Sequence, residues 1–288
     1  MDIQTGNESI RKRILSGRPF SVVRLGSSET KLAYHFVRTG KVLESCLHPK
    51  YKTLYNAGIY SRRPDMDCME EYARTHAMAI KHADIMACIM ANPYHIWQGY
   101  FSRQFNLECI QSRTIEPFYA AEMGLRPWSL DLIGKKVLIV HPFVESFRQQ
   151  LASGFQIFRD EKKRLFEKDQ QFVFYKTFQT IAGNHIHEDW RETYRIMCDD
   201  ISKLDFDIAL LGCGGYGLPL CDFIKRRLGK SAIYIGGGLQ LMFGVYGKRW
   251  EGHEFWNEII PRERCKFVRP SDEEKCPNID TIEGGCYW

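Results

Sequence analysis

Short apolar runs, many of them closed by glycine or proline and followed by stretches of helical period, recur along the chain from Phe20 to about Phe267. Buried parallel strands and their crossover helices read in this way. The first run, Phe20 to Leu25, ends at Gly26, and Ser28 to Arg38 then carries helical spacing. Asp65 to about His82 predicts a second helix, with Met66, Met69, Tyr72, Ala73, His76 and Ile80 on one side, followed by a strand over Asp84 to Met90. Lys136 to His141 predicts a strand stopped by Pro142, with a helix from Val144 to about Leu151. Phe172 to Tyr175 and Phe206 to Leu211 predict strands on either side of a helix from about Glu188 to Leu204. A helix through Leu228 and a strand over Ser231 to Ile235 complete the series.

Two stretches break the rhythm. Residues 91–130 are aromatic and irregular, and read as irregular helices or as an acceptor-side wall using Trp97 and Tyr100. The charged run Arg159 to Lys168 reads as the solvated face of a helix. With no internal repeat and no Pro/Ser-rich linker, residues 1–288 are expected to form one α/β domain, with a C-terminal tail from about 262. The alternation predicts a doubly wound, mostly parallel sheet with helices on both faces, in the Rossmann manner.

Composition narrows the partners. Forty Lys and Arg against 35 Asp and Glu leave a formal charge of +5, too small a surplus for a general nucleic-acid binder. No apolar stretch approaches the roughly 20 residues that span a bilayer. Ten cysteines occur without any Cys-x-x-Cys, mostly inside apolar segments such as Ile85 to Ile89, which predicts reduced core thiols. Together with a start lacking a basic-then-apolar leader, this points to the cytoplasm. Cys265, Cys276 and Cys286 match no standard zinc spacing, and His185 and His187 have no recognisable third ligand.

In an open parallel sheet, ligands bind beyond the carboxyl ends of the strands, so the residues that follow each strand carry the chemistry. Four ends stand out. Gly212-Cys213-Gly214-Gly215-Tyr216-Gly217 matches Gly-x-Gly-x-x-Gly, but the next strand ends in Gly236-Gly237-Gly238, without the acidic residue of a dinucleotide site. Two adjacent glycine-rich ends predict a nucleotide-sized crevice, against the simpler reading of tight turns and close helix packing. Arg24-Leu25-Gly26-Ser27-Ser28-Glu29 places an arginine in an apolar strand, where it costs free energy unless an anion or carboxylate pairs with it. Ser27 or Ser28 there would cap the following helix, with Glu29 in its first turn. His141, beyond Val140, is a candidate base or phosphate contact, and a buried structural histidine is the competing reading.

In these segments, Arg24 to Glu29, Val137 to Val140, Leu210 to Gly217 and Ile233 to Gly238, the chain resembles the GT-D fold glycosyltransferases, over roughly residues 17–250. That family carries Arg-x-Gly-Asp-x-Glu after an early strand. The resemblance implies transfer of a sugar from a nucleotide-diphosphate sugar, a UDP-sugar first, to a glycan, glycoprotein or glycolipid acceptor. It also implies an Mn²⁺ or Mg²⁺ ion at the Asp-x-Glu pair, but Ser27 stands at the Asp position here, which weakens that site. Either Glu29 binds the metal with water and phosphate, or cationic side chains such as Lys248 and Arg249 neutralise the diphosphate. Glu29 and His141 are then the catalytic candidates. Arg24, Gly26, Ser27, Ser28, Gly214, Gly215, Gly237, Gly238, Lys248 and Arg249 are the nucleotide and phosphate candidates, and Trp250 is a further aromatic for a sugar face. An NAD(P)-dependent oxidoreductase built on Gly212 to Gly217 and a non-catalytic nucleotide or glycan binder are the competing functions.

Overall fold

A computed structural model describes residues 2–42, 56–62 and 66–288, leaving aside the side chains of Ser27, Ser28 and Met66. Asp65 and Cys46 therefore lie outside the described residues. The strands are β1 (Ser21–Arg24), β2 (Ile85–Cys88), β3 (Glu108–Gln111), β4 (Lys136–His141), β5 (Gln171–Lys176), β6 (Ile208–Leu211) and β7 (Ser231–Tyr234). They form one seven-stranded sheet in the order β3-β2-β1-β7-β6-β4-β5, and every pairing is parallel.

The helices are α1 (Ile3–Leu15), α2 (Ser27–Thr39), α3 (Met66–His82), α4 (Tyr94–Phe105), α5 (Pro117–Glu122), α6 (Val144–Ala152), α7 (Trp190–Ser202), α8 (Gly217–Leu228), α9 (Gly238–Met242) and α10 (Glu254–Glu263). None is long and apolar enough to cross a membrane, among the described residues. Successive strand side chains point to opposite faces, so each strand feeds two cores. Val22, Ile85, Ile139, Leu210 and Ile233 pack on one face with Ile10 of α1, Phe147 of α6 and Trp256 of α10. Val23, Met86, Val140, Leu211 and Ala232 pack on the other with Leu32 of α2, Tyr72 of α3, Met197 of α7 and Ile224 of α8. This is the doubly wound α/β arrangement that the alternation predicts.

Three stretches differ from expectation. Residues 91–130 are more regular than their pattern, because α4, edge strand β3 and α5 lie within them. The run Arg159 to Lys168 is not a helix and holds only a single turn over Glu161–Lys163. Asp160 accepts the Lys162 N–H at 3.0 Å, a local bond that competes with helix formation. Residues after 262 also do not trail away. Cys276, Ile279, Ile282 and Trp288 are buried against the first core, which brings the C-terminus back over the strand ends.

The chain runs outward through β1, β2 and β3, then starts again at β4 and fills the centre last with β6 and β7. The two halves meet where β1 pairs with β7. A crevice beyond the carboxyl ends is expected there.

Candidate functional site

A cleft of about 330 Å³ opens at this point, lined by residues that follow β1, β4, β5, β6 and β7. Of the candidates named above, Arg24, Gly26, Glu29, His141, Gly214, Gly237 and Arg249 line it, whereas Gly215, Gly238 and Lys248 do not. Ser27 and Ser28 begin α2 beside Gly26.

Arg24 is the last residue of β1. Its Nη1 donates to the Ile235 carbonyl at 3.1 Å, and no carboxylate lies within ion-pairing distance of it among the described residues. The guanidinium lies against Gly236, whose backbone has φ +74°, and a Cβ there would fall 2.7 Å from Arg24 Nη1. Gly236 thus serves both the left-handed turn and the arginine's approach. Glu29 sits one helical turn beyond, 8% exposed. Burial pushes its carboxyl up, while its own backbone N–H and the positive charge of Arg24 oppose that shift. A second carboxylate shares this field. Glu116, half-buried just before α5, is pushed up to about 7 by burial, with Arg24 and Arg113 opposing. Its carboxylate packs on Gly238, so the missing side chain there makes room for Glu116.

His141 ends β4 and is 3% exposed. Its Nδ1 accepts the Phe143 N–H at 3.1 Å, so the neutral ring carries its proton on Nε2. Burial depresses its pKa to about 3. These facts fit the competing reading of a buried, hydrogen-bonded histidine. Near neutral pH the ring is an uncharged hydrogen-bond donor through Nε2.

The glycines at the ends of β6 and β7 accommodate the protein's own groups. Gly214, at φ +59°, has the Ala57 carbonyl 2.7 Å from where its Cβ would be, and Gly215 donates its N–H to that carbonyl at 2.7 Å. The missing Cβ of Gly215 would meet Ile59 and Tyr72, and that of Gly237 would meet Tyr287. Gly214 and Gly215 are therefore packed by residues 57–59, while Gly212 lies against His141 and Gly217 against Tyr234.

Lys248 and Arg249 hold down the C-terminus. Lys248 Nζ donates to the Gly284 carbonyl at 3.2 Å, and the residue does not line the cleft. Arg249 reaches the cleft wall but donates to Tyr287 Oη at 2.7 Å and Glu283 Oε2 at 2.5 Å, and its guanidinium lies 4.5 Å from the Tyr287 ring centre. Both are therefore engaged by the C-terminal segment. The aromatic candidates are largely structural. Trp97 and Tyr100 pack against Tyr34 of α2, at 5.8 and 5.3 Å between ring centres, and Trp250 is core.

A divalent ion needs several oxygen ligands. Among the described residues no group of three or more His, Cys, Asp or Glu side chains is placed to hold one. Among the described residues, Glu29 therefore lacks the further side-chain ligands that would hold such an ion through the protein alone. His187 Nδ1 is bonded to Thr193 Oγ1 at 2.9 Å, and His185 stacks on Tyr60 at 4.5 Å. Cys88, Cys109, Cys198, Cys213, Cys221, Cys265, Cys276 and Cys286 are free thiols.

Four lining or neighbouring residues had no signal in the sequence: Glu116, Gln179, Gln240 and Tyr287. Glu116, Gln179 and Tyr287 lie outside the recognisable strand–glycine–helix segments, and Gln240 sits in short helix α9 just past the last glycine cluster. Only the tertiary fold brings them to the β1–β7 crevice.

No curated protein and no solved structure matches this chain. A family described as a GT-D fold-like domain matches residues 3–242, which include every strand of the sheet and the residues from Arg24 to Gly238 discussed above. On that match, spanning most of the sequence, the chain belongs to the GT-D-like family, whose fold is glycosyltransferase-like.

Proposed function

We propose that the protein is a glycosyltransferase that moves a sugar from a nucleotide-diphosphate sugar, a UDP-sugar first among them, to a hydroxyl of a glycan or glycoconjugate. The observation that carries this reading is Arg24, a guanidinium at the β1–β7 crevice whose one side-chain bond among the described residues goes to a backbone carbonyl, which leaves donors for an anion. In the transfer, the acceptor oxygen bonds to the anomeric carbon as the bond from that carbon to the β-phosphate oxygen breaks. Negative charge grows on the departing diphosphate, where a fixed cation in a partly enclosed site has its greatest effect. Arg24 meets that charge, the Nε2–H of His141 donates to an oxygen of the donor, and Glu29 is the catalytic carboxylate. Its raised pKa suits it to take the acceptor's proton near neutral pH. The free thiols fit a cytoplasmic setting for this enzyme.

Charge neutralisation falls to Arg24 in this scheme, so divalent metal is not required for donor binding. Calorimetry with UDP-, GDP- and dTDP-sugars, each with Mn²⁺ and with a chelator, tests both statements. One sugar nucleotide should bind with a Kd between about 1 µM and 1 mM, and chelation should leave that affinity unchanged. Failure of all of them to bind overturns the proposal, and binding only with Mn²⁺ overturns the metal-free scheme. Binding with neither donor hydrolysis nor transfer would assign the cleft to a non-catalytic binder.

A further inference from the structure

Two carboxamides in the cleft have an acceptor left over. Gln240, fully buried, donates its Nε2–H to the Tyr287 carbonyl at 3.2 Å. Gln179, half-buried beyond β5, donates its own to the Glu274 carbonyl at 2.7 Å. Those bonds fix which end of each amide is oxygen, because a flipped amide would set oxygen against oxygen. Among the described residues, both Oε1 atoms are buried with no hydrogen-bond partner, and so is Nε1 of Trp288, which lines the same cleft. The carbonyls that orient the amides belong to Glu274 and Tyr287, in the C-terminal segment outside the family-matched residues 3–242.

We propose that Gln179 and Gln240, aligned by the C-terminal segment, form the subsite that recognises the sugar hydroxyls of the donor. This rests on the nucleotide-sugar reading above and adds which part of the donor is read, and by what. Two free acceptors beside one free donor call for a ligand rich in O–H groups. Uracil has the opposite ratio, one N–H and two carbonyls, so it leaves one of the amides unpaired. A pyranose offers several hydroxyls, each able to donate to one Oε1 and to accept from Trp288 Nε1. Buried acceptors left unpaired are costly, so they discriminate strongly against a ligand lacking the matching hydroxyl. Because the orienting carbonyls lie outside the family-matched span, sugar choice in this protein is set by its own C-terminal extension.

The test compares the tightest-binding sugar nucleotide of the panel with its parent nucleoside diphosphate, on wild type, Gln179→Leu and Gln240→Leu. Each substitution should weaken the sugar nucleotide about tenfold and leave the nucleoside diphosphate unchanged. Gln179 is only half-buried, so Gln179→Leu supplies the answer if Gln240→Leu does not fold. Equal losses for both ligands would move the amides to the nucleotide, and no loss for either would remove them from recognition; both results overturn the inference. A wild-type protein that binds neither ligand refutes the nucleotide-sugar reading itself and this subsite with it, whereas wild-type binding with unaffected variants refutes the subsite alone.

Discussion

Replacing Arg24 with glutamine should lower affinity for the sugar nucleotide about a hundredfold or more. Removing one partner of a close, desolvated charge pair costs about 2–5 kcal/mol, and a hundredfold corresponds to about 2.7 kcal/mol. Lys248 and Arg249 do not compensate, because one points to the Gly284 carbonyl and the other is held by Glu283 and Tyr287. The fold should survive, since the arginine's own bond is the single one to the Ile235 carbonyl and it anchors no carboxylate among the described residues. Arg24→Lys should fall between the two, keeping the charge but losing the guanidinium fork. Calorimetry gives the affinities and a thermal melt gives the fold. A folded Arg24→Gln protein with wild-type affinity would remove the arginine from the site.

The largest effect on stability is expected at Glu274, in the C-terminal segment and 0% exposed. Helix α6 starts after Phe143, which has no side chain able to cap it. Glu274 caps it from a distance, accepting the N–H of Glu145 at 2.8 Å and the N–H of Ser146 at 3.3 Å, and bonding the Ser146 hydroxyl as well. Glu274→Ala strands these donors at a buried helix start and opens a void. Three lost bonds at about 1 kcal/mol each give about 3 kcal/mol, or a fall in Tm of roughly 6–12 °C for a protein of this size. Differential scanning calorimetry reads it directly. A change under about 2 °C would mean that the segment is only loosely attached. Weakening this anchor should also loosen Gln179, whose orienting carbonyl belongs to Glu274.

The sheet was readable because most of its strands are buried on both faces and so appear as apolar runs. Edge strand β3 escaped: only Ile110 of its four residues is buried. Helix α1 escaped for a different reason. Part of its buried face is Gly6 and Asn7, the latter bonded to the Arg126 carbonyl and the Trp128 N–H at 2.9 Å each, so polar residues break the apolar period. At the site, Arg24, Glu29 and His141 could be singled out because each adjoins a strand end, and the structure brings them into one cleft. What sequence could not separate was a glycine that admits a ligand from one that admits the protein. Gly215 and Gly238 make room for Ile59 and Glu116, which are distant in the chain. Nor could it distinguish a free cation from a paired one, as Lys248 and Arg249 illustrate. Gln179, Gln240 and Glu116 carry no motif, and their significance comes from buried atoms without partners or from a shared electrostatic field.

A crystal structure of the protein with a bound sugar nucleotide tests the central claim most directly. The diphosphate should lie in the cleft between the ends of β1 and β7, with its oxygens within hydrogen-bonding distance of the Arg24 guanidinium. A nucleotide bound elsewhere, for example in the 630 Å³ groove beside Phe155 and Phe172, with Arg24 untouched, would contradict the account.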